Sequence, residues 1–260
     1  MKIKFLLPIV MLAGMAIVYS ACKKSDSSPA GPALTESQVT TQVVLDLNSA
    51  LFGEYGGVNF GEGMQGPSSF GAKHLSGPKL HDLSNPFCGL VIDTAINASV
   101  TAGKDSTLQV SGHIKFSFSC SNDNLTGFST NDDLSIAIST PELTATSKLQ
   151  ETLTLAISDI NDANSPSTLK GTLNSTTAYK YKTGNKSGTR AFNYIINNIV
   201  LGSGDDDDIL SGTISFSTKG TGSKGSWNFT GTITFLGNHQ AKVSIHGKTY
   251  NVDIRTGVVV

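Results

Sequence analysis

Charge is scarce in this 260-residue chain. Lys, Arg, Asp and Glu make up 15% of it, and they nearly cancel to a formal charge of -1. That balance excludes the basic footprint on which nucleic-acid binding depends. With 38% hydrophobic residues, the chain also lacks the composition of a wholly disordered protein. Cysteine is limited to three residues and tryptophan to one. Catalytic signatures are missing too. No serine sits in a Gly-x-Ser-x-Gly setting, and no Gly-rich phosphate loop lies between a strand and a helix. No Asp-x-Asp-x-Asp calcium loop is present. No cofactor is therefore expected, and an enzyme, such as a hydrolase, is the reading with least support.

What is present begins with an address. Lys2 and Lys4 precede an apolar run from Phe5 to Val18. At about 14 residues the run is short of the ~20 needed to cross a bilayer, and its basic start and small-residue end describe a secretory signal. The run ends at Tyr19-Ser20-Ala21-Cys22. This stretch resembles the lipobox of bacterial lipoproteins, with Tyr19 standing where an aliphatic residue is usual. The resemblance covers residues 1–22. It implies cleavage before Cys22, acylation of its thiol and new amino group, and attachment to the outer membrane on the periplasmic or cell-surface side. Two or three chains at one residue make a lasting anchor. Residues 22–33, rich in Ser, Lys, Pro, Gly and Ala, cannot bury apolar area and read as a tether. Loss of Lys2 and Lys4 takes the formal charge from -1 to -3.

The domain expected at 34–260 opens with a helix over 35–52. Thr35-Glu36-Ser37-Gln38 reads as a capping box, and Val39, Val43, Val44, Leu47 and Leu51 recur at helical spacing. Residues 53–87 are irregular, with frequent Gly and Pro. His74, His81 and Asp82 fall there and read as loop residues, because their spacing fits no metal site.

From Cys88 the pattern changes to period two. Leu90, Ile92, Ile96, Ala98 and Val100 share one parity, and Leu108, Val110, Ile114, Phe116 and Phe118 share the next. Folding this hairpin about Lys104 sets Val100 against Leu108, Ile92 against Phe116 and Cys88 against Cys120. A one-residue slip would turn one apolar face outward, so the register that buries both faces also predicts a Cys88–Cys120 disulfide. Two reduced buried thiols are the alternative. The same alternation continues to 257, and pairing about His246-Gly247 sets Val243 opposite Tyr250 and Ala241 opposite Val252. The count is about ten strands without βαβ alternation. The fold expected is an all-β antiparallel meander, curled into a barrel-like or two-layer sandwich domain with one N-terminal helix.

Candidate sites are few. Asp205, Asp206, Asp207 and Asp208 could hold calcium, but four adjacent like charges after Gly202-Ser203-Gly204 read better as a solvated hairpin tip. Residues 121–124 (SNDN) and 131–133 (NDD) read as turns, and His113 as a solvent-side strand residue. Tyr179, Phe192, Trp227 and Phe229 fall on strand faces, where they either line an apolar pocket or pack the core. The functional expectation is a lipid-anchored envelope protein that binds an apolar or lipid ligand without catalysis. The alternative is a structural or adhesive surface lipoprotein with an envelope protein partner.

Overall fold

The computed structural model describes residues 34–52, 88–102, 105–122, 124–158, 162, 165–184, 186–202 and 208–260. Cys22, the tether, and His74, His81 and Asp82 lie outside the described residues. Within them the chain forms one helix, α1 (Glu36–Phe52), and ten strands. These are β1 (Val91–Ala102), β2 (Ser106–Ser121), β3 (Asn124–Ser139), β4 (Leu143–Ile157), β5 (Ser167–Tyr181), β6 (Ser187–Leu201), β7 (Ile209–Gly222), β8 (Gly225–Gly237), β9 (Gln240–Ile245) and β10 (Lys248–Asp253).

The helix starts where its capping box places it. The Thr35 N–H donates to Gln38 Oε1 at 2.9 Å, and the Gln38 N–H to Thr35 Oγ1 at 3.3 Å. The five apolar positions of its stripe are all 3% exposed or less. Each such side chain contributes about 1.5–3 kcal/mol relative to an exposed one, so a charge at Val43 would detach the helix.

The strands make one antiparallel sheet in sequence order, and β1 and β10 do not pair, so the sheet is not closed. One face of it carries the core. Residues from β2 through β10 and the helix stripe belong to a single buried cluster. A 17-residue helix is only ~25 Å long and cannot cover ten strands, so the sheet must curl until its inner face covers itself.

The first hairpin has the expected register, with Val100 opposite Leu108 and Ile92 opposite Phe116. Cys88 and Cys120 are joined by a disulfide, with Cα atoms 5.5 Å apart. At the other end, Val243 faces Tyr250 and Ala241 faces Val252. His246 and Gly247 both have positive φ, 49° and 79°, the two-residue turn whose twist suits a hairpin.

Two expectations fail. The apolar parity leading into and along β1 is covered only in its middle, where Ile96 packs on the core: Leu90, Ile92 and Val100 are 39%, 41% and 48% exposed. β1 ends the sheet, so a neighbouring strand flanks it on one side only. Residues 131–133 are not a turn but the middle of β3, and Asp132 points inward at 2% exposure. Turn propensity loses there to a run whose inward parity (Phe128, Thr130, Asp132, Leu134) is fixed by pairing on both sides.

The register arranges the inner face in rows. One runs through Ile114, Asp132, Glu151, Leu173, Tyr194, Phe216, Gly231 and Ile245. Another, further along the strands, runs through Ile136, Ser147, Thr177, Arg190, Gly220 and Trp227. The first is largely sealed. In the second, Ile136, Ser147, Thr177, Arg190 and Trp227 are only half-buried.

Candidate functional site

The half-buried row leads to a groove at the start of α1. It has a volume of about 650 Å³, is open to solvent, and is lined by Thr35, Glu36, Ser37, Ser226, Trp227, Asn228, Phe229, His246, Lys248 and Tyr250. Three elements meet there. The capping box begins α1 and sets Glu36 at its first turn. The β9–β10 hairpin carries His246, Lys248 and Tyr250. The start of β8 carries Trp227 and Phe229 inward, with Ser226 and Asn228 alternating between them.

Glu36 ties the first two together. Its Oε2 accepts from Lys248 Nζ at 2.9 Å and from the Tyr250 hydroxyl at 2.8 Å, and its Oε1 lies 3.3 Å from His246 Nδ1. The lysine and tyrosine hydrogen bonds hold its carboxyl well below the usual range, at about 2. The same contacts raise the Lys248 ammonium and the Tyr250 phenol above their ordinary values. Glu36 is therefore a permanent carboxylate with its acceptors engaged.

Trp227 is set by a glycine. The indole packs on Gly220, its register partner. A Cβ there would lie 2.2 Å from the indole Cζ2, so no other residue fits beneath the ring. The indole N–H reaches Thr218 Oγ1 at 3.5 Å. The Phe229 ring stands 5.5 Å from that of His246, and the residue is 7% exposed.

Of the four aromatics that the sequence marks, the fold brings Trp227 and Phe229 to this groove and leaves two elsewhere. Phe192 is 1% exposed in the core and stacks on Tyr194 with ring centroids 6.2 Å apart. Tyr179 lies over Gly188, its register partner, and meets Tyr181 edge-on. Asp205, Asp206 and Asp207 lie outside the described residues. Asp208 caps the 238–239 turn, accepting from the N–H groups of Asn238 at 2.6 Å and His239 at 3.0 Å. Among the described residues no group of three or more His, Cys, Asp or Glu is placed to hold a metal. His113 is a solvent-side residue, 50% exposed, and 2.6 Å from Asp93.

A second polar set lies in the sealed wall, and sequence reasoning misses it. Asp132 and Glu151 face each other across β3 and β4, each 2% exposed. The Thr130 hydroxyl lies 3.0 Å from Asp132 Oδ2 and 3.3 Å from Glu151 Oε1, and the Lys115 N–H donates to Asp132 Oδ1 at 3.2 Å. The two carboxyls are register partners on the same inward face. Burial raises the Asp132 pKa above its ordinary value. Further along the row, the Tyr194 hydroxyl is 2.9 Å from the Val43 carbonyl and 3.1 Å from Asp46 Oδ2. Burial pushes Asp46 up to about 6, against the pull of the Arg190 charge. The only signal for this set is that Asp132 and Glu151 keep the inward parity of their strands.

Behind α1 the core is nearly solid. The void bounded by Val44, Leu47, Leu51, Ile209, Ile233, Phe235 and Ile254 measures about 10 Å³, too little for any organic ligand. Comparison with family models, curated proteins and solved structures finds no match for this chain.

Proposed function

We propose that the protein is a lipid-anchored binding protein of the outer membrane, without catalytic activity, and that it holds its ligand in the open groove rather than inside the curled sheet. The observation that carries this is the groove itself. It has the size of a small-molecule site, about 650 Å³, whereas the space behind α1 is filled. It also begins at Thr35, 13 residues after Cys22, within ~45 Å of extended chain from an acylated cysteine.

Catalysis is disfavoured by the chemistry of the lining. Its one carboxylate, Glu36, is held as an ion by the side chains it binds, so it neither donates nor takes a proton near neutral pH.

The test is native mass spectrometry of the full mature chain released from membranes. A bound mass that dissociates on denaturation and is lost in Trp227→Ala is the expected result. A bound mass retained by that variant puts the ligand elsewhere, and a bare chain overturns the binding reading. Palmitate labelling, abolished by Cys22→Ser, checks the anchor separately.

The alternative, a structural or adhesive lipoprotein, is favoured by one feature. The edge strand β1 leaves Val91, Ile92 and Val100 51%, 41% and 48% exposed, a surface that a protein partner could cover.

A further inference from the structure

We infer that the groove takes a neutral saccharide. This deepens the binding reading above and rests on it.

The first ground is a pre-set aromatic surface. Trp227 is half-buried, with Gly220 under its ring and Thr218 at its N–H. Its position is thus fixed by the sheet before any ligand arrives, which spares the entropy of ordering it on binding. A sugar ring offers an apolar C–H face that lies on such a surface.

The second ground is charge balance. Lys248 and Glu36 cancel each other in a direct pair at 2.9 Å, and His246 stands on the same carboxylate. The remaining polar side chains are the hydroxyls of Thr35 and Ser37 at the start of α1; Ser226 and Asn228, on the outward parity of β8, meet the groove along their backbone. No net field attracts an anion or a cation, whereas hydroxyl and backbone groups pair with the hydroxyl edge of a neutral sugar.

The third ground separates a sugar from an acyl chain. A lipid needs a continuous apolar wall. Here the apolar wall is short: Trp227 is half-buried, and Phe229, at 7% exposure, shows little of its ring. The fourth separates binding from cleavage. Glycoside hydrolysis uses two carboxyls flanking the bond, and among the described residues lining the groove there is one.

Trp227 is the sole tryptophan of the chain, so its emission reports on the groove alone. The experiment titrates the full mature chain with cellohexaose, maltohexaose and chitohexaose, and separately with trigalacturonate and laurate. The result expected is a saturable change of emission with at least one hexaose, which is recovered uncleaved. Saturation-transfer NMR then follows the same hexaose on the variants. Trp227→Ala lowers its affinity at least tenfold. Ser37→Ala, at an exposed position of the lining that leaves the fold intact, lowers it several-fold. A response to trigalacturonate or laurate alone overturns the neutral saccharide and leaves the groove as a binding site. Hexaose binding that both variants leave unchanged overturns the location. Silence with every probe overturns the saccharide, and the mass-spectrometric result then decides whether the broader binding reading falls with it.

Discussion

The carboxylate at the rim of this curled sheet and those facing its interior are driven in opposite directions. Glu36 is held down at about 2, while Asp46 is pushed up to about 6 and Asp132 is also raised. All three accept hydrogen bonds, so the number of donors does not explain the difference. What differs is the charge and solvent around them. Glu36 has an ammonium at 2.9 Å and keeps 19% of its side chain exposed at the groove. Asp132 has a hydroxyl, an N–H and a second acid, inside a sealed row. For Asp46, on the inner side of α1, and for Asp132, in the sheet wall, burial is the largest influence, and it disfavours the ionised form more than neutral donors can restore. The rim is thus fitted to display charge that is already neutralised, and the wall to hide it.

The wall pair offers the largest effect. Glu151→Ala removes a 2% exposed side chain and strips Asp132 and Thr130 of a partner. A cavity and lost buried hydrogen bonds together predict a destabilisation of about 3 kcal/mol or more, read from the midpoint of urea unfolding at pH 7. Replacing both acids, as Asp132→Val with Glu151→Leu, restores apolar packing and recovers most of that loss. A cost for the single variant below about 1 kcal/mol would mean that water reaches the pair, and the contrast with the rim would dissolve.

Asp46 comes next. The Tyr194 hydroxyl has one hydrogen and two acceptors, the Val43 carbonyl and Asp46. When Asp46 is protonated it donates to the tyrosine oxygen, and the tyrosine donates to the helix. When Asp46 ionises, the two acceptors compete for one hydrogen. A folded pKa raised from 3.8 to about 6 means that the native state holds more protons than the unfolded chain across this window. Stability from this group is therefore complete below about pH 3.8 and lost as pH rises through about 6. The loss amounts to at most about 3 kcal/mol. Asp46→Asn flattens the profile between about pH 4 and 6, measured by urea midpoints at each pH. A slope that survives in the variant assigns the effect to Asp132 instead.

Much of this architecture is legible in the sequence alone, and the reason is the period of two. The pairs Val100 with Leu108 and Val243 with Tyr250 follow because each strand has one apolar parity, and the disulfide follows from the same register. The helix is legible because Thr35 and Gln38 cap it locally. Periodicity fails where an inward position is polar. Asp132 sits in a run of turn formers, and no local rule shows that Glu151 will face it from a strand whose register is set elsewhere. It fails again at β1, whose alternation is sound but whose place at the sheet edge is a property of topology. The groove is half legible: Trp227 and Phe229 stand out as aromatics, but Glu36 reads only as part of a cap. That it meets Lys248 and Tyr250, 212 and 214 positions away, depends on how the sheet curls.

The smallest effect tests the rim and is the most direct check on the contrast with the wall. Because the folded pKa of Glu36 is depressed, from 4.5 to about 2, its contribution is present above about pH 4.5 and lost as pH falls toward 2. An NMR titration of the Glu36 side-chain carboxyl should show its midpoint near 2. The group is at the surface and its main partner is a cation, so about 1 M NaCl should raise that midpoint toward the ordinary value. The same salt should leave the Asp46 midpoint almost unmoved, since burial rather than an ion pair sets it. A Glu36 midpoint near about 4 at low salt would show that Lys248 and Tyr250 do not hold the carboxylate in solution. The carboxylate and the ammonium would then stand unpaired in the groove, each free to draw a charged ligand, and the mutual engagement on which the neutral ligand depends would be gone.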